Sequence, residues 1–190
     1  MIALSSLPQA HYGAVLADPP WSFRSWSGKT GTPHRCAEDH YRTVGLDGLA
    51  DLPVSSLALP DACLFMWVVD SHIDQGIALA GAWGFKFKTR AFEWLKTTKA
   101  GNPKIGMGYW TRKQTETCLL FTRGKPHRLG KGVRQLIIAP RREHSRKPDE
   151  QYERIEALVA GPYLELFART RRDGWDAWGN EVGKFQEDAE

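Results

Sequence analysis

The residues with the clearest chemical potential are four in a row, Asp18-Pro19-Pro20-Trp21, directly after the short apolar run 13–17. The carboxylate of Asp18 and the backbone carbonyl of Pro19 can together accept both N–H hydrogens of the exocyclic amine of adenine. Two such acceptors localise the nitrogen lone pair, which is otherwise delocalised into the ring, and aim it at a methyl donor. Successive prolines fix φ, so they hold both acceptors rigid before a substrate arrives.

Trp21 has two interpretations. As a functional residue it offers a flat apolar face on which an extruded base stacks, a contact of about 1–3 kcal/mol. As a structural residue it lies in the core, and Asp18 caps an ordinary turn. The setting favours the functional interpretation, because the tetrapeptide follows an apolar strand and precedes a polar stretch, 22–40, that is too long for a simple connector. We therefore predict that Asp18, Pro19, Pro20 and Trp21 are catalytic.

The basic residues are concentrated in the middle of the chain. Residues 85–147 hold 17 lysines and arginines against three acidic residues, a net charge of +14, whereas the whole chain carries +4. Residues 1–84 and 148–190 are net acidic, at −4 and −6. A cationic block attracts a polyanion, because each phosphate that it neutralises releases condensed counterions. The distribution favours a nucleic-acid partner over an ordinary solvated surface.

The totals are typical of a folded globular protein. With 190 residues, 42% of them hydrophobic and 25% charged, the chain is expected to form one domain, 1–190. Cys36, Cys63 and Cys118 lack the paired spacing of a zinc site, so we expect reduced thiols and no metal. There is no basic leader and no run of about 18 apolar residues, which predicts a cytoplasmic protein without a membrane partner.

The elements that must position these residues alternate along the chain. Strands are predicted at 13–17, 63–69, 85–96, 117–121, 133–138 and 163–168. Helices are predicted at 71–83, with a capping box from Ser71, and at 148–160, beginning at Pro148. This alternation predicts an open α/β sheet, in which ligands collect outside the carboxyl ends of strands. Asp18 and Arg169 both fall at such ends.

Further motifs in one consistent order carry a family resemblance. They include His40-Tyr41, Leu64-Phe65-Met66-Trp67-Val68, Gly106-Met107-Gly108-Tyr109-Trp110, Lys147-Pro148-Asp149-Glu150, Leu164-Glu165-Leu166-Phe167 and Trp178-Gly179-Asn180. With the tetrapeptide, they make the chain similar, from about Ala14 to Val182, to the N6-adenine methyltransferase family. That family includes the catalytic subunit of the eukaryotic messenger-RNA adenosine methyltransferase and short bacterial and phage enzymes. The resemblance implies a class I S-adenosylmethionine-dependent methyltransferase fold, a Rossmann-like α/β sheet with permuted motif order.

The resemblance also implies roles for single residues. The tetrapeptide would be catalytic, and three residues would line the adenine pocket: Tyr41, Glu116 and Ser145. The cofactor S-adenosylmethionine would be bound by Asp18, Lys147, Phe167, Arg169, Asn180 and Glu181. Within that set Lys147 would approach the donor's amino-acid end and the reacting base, and Arg169 the ribose side. Asn180 and Glu181 would approach the nucleoside part. Taken alone, Lys147 could equally be an exposed lysine, and Asn180 part of a turn.

The activity that the resemblance implies is adenine-specific methylation of DNA, with relaxed or short sequence specificity because no segment remains for a separate recognition domain. Two alternatives stay open: methylation of adenine in RNA, and an inactive nucleic-acid-binding partner subunit of the kind that the family also includes. The resemblance is compatible with a homodimer and with a heterodimer. A nucleotide-binding oxidoreductase is disfavoured, because its G-x-G-x-x-G turn is absent.

Overall fold

A computed structural model describes residues 4–21, 46–108, 110–143 and 146–184. The strands are β1 (Tyr12–Ala17), β2 (Ala58–Val68), β3 (Lys86–Thr97), β4 (Thr115–Arg123), β5 (Leu136–Pro140), β6 (Tyr163–Leu166) and β7 (Trp175–Trp178). They form one mixed sheet in the order β5-β3-β4-β2-β1-β6-β7. The α-helices of the described residues are α1 (Leu46–Ala50), α2 (Val54–Leu57), α3 (Ile73–Ala82) and α4 (Glu150–Leu158).

Strand β1 is the central strand that places the tetrapeptide. It pairs in parallel with β2 on one side and β6 on the other, and all six of its residues are buried. Such burial is typical of a parallel strand that is covered on both faces. Val15 packs into one apolar cluster and Leu16 into the other, on opposite faces of the sheet. Ala17 lies opposite Leu166, so the carboxyl ends of β1 and β6 meet at one edge.

The other half of the sheet brings a second set of residues to that edge. Strand β4 runs antiparallel to both β2 and β3, so its amino end lies beside their carboxyl ends. In this register Val68 is opposite Thr117, and Trp94 is opposite Glu116. Glu116 therefore comes close to the edge that carries Asp18.

The open α/β sheet is confirmed, and every predicted strand and both predicted helices are present with shifted ends. The capping box from Ser71 is wrong, because α3 begins at Ile73 after the 3₁₀ turn Asp70–His72 and no side chain caps it. Strand β7 was not predicted, since a run of four residues is too short to show a strand pattern. Helices α1 and α2, of five and four residues, are similarly short and were not predicted either.

Two smaller expectations concern the cysteines and the membrane. Cys63 and Cys118 are buried free thiols, whereas Cys36 lies outside the described residues. No helix within the described ranges combines the length and the apolar character needed to cross a bilayer.

Candidate active site

At the carboxyl end of β1, Asp18 contacts a buried lysine. Lys147 Nζ lies 2.6 Å from Asp18 Oδ2 and 3.4 Å from Glu116 Oε2. Only 7% of the Lys147 side chain is exposed, against 25% for Asp18 and 18% for Glu116. A buried ammonium group needs nearby opposite charge, because the loss of its hydration costs several kcal/mol. Lys147 is therefore not one more exposed lysine of the basic segment.

A second lysine extends this cluster. Lys96 Nζ donates a hydrogen bond to Glu116 Oε1, so Glu116 lies between two ammonium groups. Burial opposes the ionisation of Glu116, but Lys147 and Lys96 outweigh it and lower the pKa of Glu116 to about 2. Burial likewise opposes the charge on Lys147, yet Asp18 and Glu116 raise the pKa of Lys147 above its ordinary value. At neutral pH Lys147 is thus an ammonium group and cannot serve as a base.

The tetrapeptide is held in a defined turn. The carbonyl of Pro19 accepts the backbone N–H of Trp21 at 2.8 Å, which closes a tight turn across Pro20. Asp18 Oδ1 has no hydrogen-bond partner among the residues that the structure describes, whereas Oδ2 is bonded to Lys147. One carboxylate oxygen and one carbonyl lone pair therefore remain for a ligand.

The stacking face predicted for Trp21 needs correction. The side chain is 5% exposed and packs in the core, where Nε1 donates to the carbonyl of Trp67 at 3.1 Å. This burial agrees with the structural interpretation of Trp21, and a catalytic role for the residue stays a proposal. Its indole connects the tetrapeptide to β2, so its contribution is to fix the position of Asp18.

A cavity lies beside Asp18, at the adjoining ends of β1 and β6. Four residues predicted as cofactor ligands line it: Asp18, Lys147, Phe167 and Arg169. The other lining residues were missed, namely Leu16, Trp67, Arg146, Asp149, Gln151, Tyr152, Glu165 and Thr170. A usable signal existed for Glu165, because it is a carboxylate between two apolar residues of a core strand.

The cavity wall is stiffened by a buried amide. Gln151 is 2% exposed, and its Oε1 accepts the indole N–H of Trp67 at 2.7 Å. Lys147 Nζ lies 5.5 Å from the centre of the Trp67 ring, within the range of a cation–π contact. Trp67 is thereby fixed by Gln151 and supports both Trp21 and the ammonium group of Lys147.

The segment after β6 turns sharply toward the cavity. Phe167 has φ 62°, in the left-handed region that bulky residues rarely adopt, and strain of this kind tends to occur at functional sites. Its ring packs edge-on against Trp178, with the ring centres 5.6 Å apart. A Cβ at Gly179 would lie 2.5 Å from the carbonyl oxygen of Ala168, so only glycine permits this approach. Close contact between the ends of β6 and β7 thus places Phe167 in the cavity wall.

The MT-A70 family model matches residues 12–181, from the start of β1 to beyond β7. This range contains the whole Asp18 site. The chain belongs to the MT-A70 family of methyltransferases.

Individual relatives agree with the MT-A70 assignment. The type II methyltransferase M.MunI of a Mycoplasma species is 35% identical over an aligned length of 192. The alignment covers 93% of this chain and 80% of the relative. An Arabidopsis thaliana N(6)-adenosine-methyltransferase MT-A70-like protein is 32% identical, covering 90% of this chain but 24% of its own length. The human N(6)-adenosine-methyltransferase catalytic subunit is 29% identical, with 90% and 28% covered. The chain therefore spans most of the Mycoplasma relative but about a quarter of the other two.

Within this MT-A70 domain the remaining predicted residues have different placements. Arg169 Nε lies 3.3 Å from Glu181 Oε2, so these two predicted residues are brought together. Asn180 is exposed and does not line the cavity. Glu116 does not line it either and reaches the site through Lys147. Tyr41 and Ser145 lie outside the described residues.

Glu165 is an ionisable group of the cavity wall whose pKa is shifted. Burial raises the pKa of Glu165 to about 7, and the negative charge of Asp18 adds to the rise. The hydroxyl of Tyr152 donates to Glu165 Oε2 at 3.0 Å and partly opposes the shift. Glu165 is therefore expected to titrate near neutral pH.

This raised pKa predicts a pH-dependent stability. The folded state binds the Glu165 proton more tightly than the unfolded state, whose pKa is close to the ordinary 4.5, so stability falls as pH rises toward about 7. Glu165→Gln keeps an acceptor for Tyr152 and removes this titration. Between about pH 5 and about pH 8, the melting temperature of the variant should therefore fall less than that of wild type. Each kcal/mol of unfolding free energy that the wild type loses should lower its melting temperature by about 2–4 °C.

Scanning calorimetry at both pH values measures the difference. Glu153→Gln is the matched control, since Glu153 is an exposed residue of α4. A Glu165→Gln variant whose melting temperature falls with pH as much as that of wild type would show that Glu165 ionises normally.

Proposed function

We propose that this chain transfers the methyl group of S-adenosylmethionine to the N6 amine of adenine in nucleic acid, and in DNA in preference to RNA. The observation that carries the proposal is the position of Asp18, held at 2.6 Å by the buried Lys147 at the edge of a cavity. Family membership supports the methyl transfer. The choice of DNA is supported by the match to a bacterial type II methyltransferase, of which the alignment covers 80%.

The residues of the cavity suit the cofactor by their charge and chemical character. Lys147 and Arg169 offer cations for the donor's carboxylate, and the carboxylates of Asp18 and Glu165 suit its ammonium group. The ring of Phe167 offers an apolar face to the nucleoside. We propose that Asn180 and Glu181 also bind the nucleoside part, although they do not line the cavity. When bound, S-adenosylmethionine supplies a sulfonium-activated methyl group.

Asp18 is proposed to orient the amine that receives this methyl group. Lys147 fixes Oδ2, so Oδ1 is left to accept one N–H of adenine, while the second lone pair of the Pro19 carbonyl accepts the other. The two acceptors draw the nitrogen toward tetrahedral geometry and aim its lone pair. As the nitrogen–carbon bond forms, the sulfur–carbon bond breaks. The methylated amine then releases its proton to water, so no strong base is needed.

Glu116 is proposed to line the adenine pocket together with Tyr41 and Ser145. Its two lysine partners keep it ionised, so it can accept a hydrogen bond but cannot donate one. An acceptor of this kind would suit the donor edge of a base.

A nucleic-acid substrate is supported by the basic residues of the segment 85–147. Ten of them are exposed and form no ion pair in the described part of the chain: Lys86, Lys88, Lys99, Lys104, Arg112, Lys125, Arg128, Lys131, Arg134 and Arg141. Lysines and arginines in this state remain available to phosphates. Phosphate contacts carry no sequence information, in line with the relaxed or short specificity that we propose.

Matched DNA and RNA oligonucleotides with a single adenine test the substrate. We expect transfer of labelled methyl groups to DNA at the higher rate, with N6-methyldeoxyadenosine as the product by mass spectrometry. An unpaired adenine should react at least as fast as a paired one, because the amine is inaccessible while stacked in a duplex.

The same oligonucleotides with guanine in place of adenine are the control. Faster transfer to RNA would overturn the DNA assignment. Binding of nucleic acid without any transfer to adenine would favour the inactive partner subunit.

A further inference from the structure

The loop between β3 and β4 carries an unusually exposed tryptophan. Trp110 is 100% exposed, and Ile105 and Met107 in the same loop are 68% and 69% exposed. Every other tryptophan in the described residues is buried or half-buried. Single exposed apolar side chains are ordinary on a protein surface, but three in one loop form a patch of the kind that marks an interaction site.

The loop that carries Trp110 is joined to the hairpin by backbone hydrogen bonds. The N–H of Lys104 donates to the carbonyl of Lys96 at 2.8 Å, and the N–H of Gly106 donates to the carbonyl of Lys113 at 2.7 Å. A Cβ at Gly108 would lie 1.9 Å from the carbonyl oxygen of Thr111, so this close backbone approach accepts only glycine. Backbone contacts between residues before and after Trp110 thus hold the loop together.

The base of this loop lies at the Asp18 site. Lys96, near the end of β3, and Glu116, near the start of β4, hydrogen bond to each other across the two strands. Glu116 Oε2 is in turn 3.4 Å from Lys147 Nζ, the partner of Asp18. Lys113 Nζ also lies 3.5 Å from Asp70 Oδ2, just after β2. The loop therefore leaves the sheet at the edge where the methyl transfer is proposed to occur.

The charge of the loop indicates what covers the tryptophan. Residues 98–114 contain four basic residues, Lys99, Lys104, Arg112 and Lys113, and no acidic residue. Aromatic side chains among cations are typical of surfaces that bind single-stranded nucleic acid, where bases stack on the rings and the cations contact phosphates. Surfaces that bind proteins are instead depleted in lysine at their centre.

We propose that Trp110 stacks on a base of the nucleic-acid substrate next to the target adenine, outside the catalytic site. The inference rests on the proposed function and deepens it, because Trp21 is buried and cannot supply this contact. A stacked Trp110 would hold the neighbouring nucleotide while the target base enters the site beside Asp18.

Binding of a fluorescently labelled single-stranded DNA of about 12 nucleotides, followed by anisotropy, tests the proposal. Trp110→Ala should weaken binding by about 10- to 100-fold, the equivalent of about 1.4–2.8 kcal/mol. Trp110→Phe should retain most of the affinity. Ile77→Ala is the matched control, since Ile77 is a 39% exposed apolar residue of α3. Calorimetric binding of S-adenosylmethionine should be the same in all four proteins.

Salt dependence separates stacking from charge. Trp110→Ala should leave the slope of log affinity against log salt unchanged. Lys104→Ala should reduce the magnitude of that slope by about 1, the amount expected for the loss of one phosphate contact.

Equal affinities of wild type and Trp110→Ala, with methylation of adenine intact, would overturn this inference and leave the proposed function standing. Loss of a dimer in the Trp110→Ala protein by sedimentation, at unchanged DNA affinity, would overturn it in favour of an interface between copies. Absence of both binding and methylation in wild type would overturn the proposed function as well.

Discussion

Asp18→Ala is expected to reduce methyl transfer to adenine by at least about 100-fold, because it removes the group that positions the amine. The fold should survive the change. Asp18 is a quarter exposed at a strand end, and Lys147 keeps Glu116 as a partner at 3.4 Å, so no buried charge is left alone. Initial rates of label transfer, with circular dichroism and melting temperatures of the same samples, measure both expectations.

Two further variants serve as controls for Asp18→Ala: one removes a different carboxylate, and the other keeps the size of the Asp18 side chain. Asp74→Ala removes an exposed carboxylate of α3 and should retain wild-type turnover. Asp18→Asn keeps the size of the side chain but replaces one oxygen with an N–H donor, so it should also be nearly inactive. Turnover near that of wild type in Asp18→Ala would exclude the residue from the mechanism.

Lys147→Ala is expected to have the second large effect, a loss of S-adenosylmethionine binding or of catalysis. The change also leaves Asp18 without its lysine, and the rupture of a buried ion pair costs about 3–5 kcal/mol. Stability must therefore be measured in parallel with function. Calorimetric titration of the cofactor, at a temperature where circular dichroism shows the variant folded, separates the two effects.

Lys131→Ala serves as the control, because Lys131 is an exposed lysine of the same basic segment. Its cofactor affinity should match that of wild type. Lys147→Arg keeps the charge but replaces a compact ammonium group with a planar fork, so we expect partial stability and weak activity. Equal cofactor affinity in the Lys147→Ala and Lys131→Ala proteins would mean that Lys147 has no part in binding the donor.

Local sequence signals predicted the backbone of the site. The apolar run before Asp18 is a buried central strand, and the apolar residues around Glu165 form its parallel neighbour. Asp18 directly follows β1, as predicted, whereas Arg169 lies three residues beyond the end of β6. Because the carboxyl ends of parallel strands meet at one edge, both residues line one cavity. Periodicity and strand-ending prolines were sufficient for this.

The contacts that give the site its electrostatics depend on long-range pairing and were not predictable. The hydrogen bond from Lys96 to Glu116 depends on the register of β3 against β4, which no local pattern fixes. The two interpretations of Trp21 could not be separated locally, because its indole N–H donates to the carbonyl of Trp67 in the distant strand β2. The close approach at Gly179 depends on β7, which is too short to stand out in the sequence.

The most direct test of the central claim is a crystal structure of the protein with S-adenosylhomocysteine and an adenine-containing oligonucleotide. We expect the N6 amine of one adenine within about 3.2 Å of both Asp18 Oδ1 and the Pro19 carbonyl, with the cofactor product in the cavity lined by Lys147 and Arg169. An adenine amine bound beyond hydrogen-bond distance of Asp18, or a cofactor product in a different cavity, would contradict the proposed chemistry.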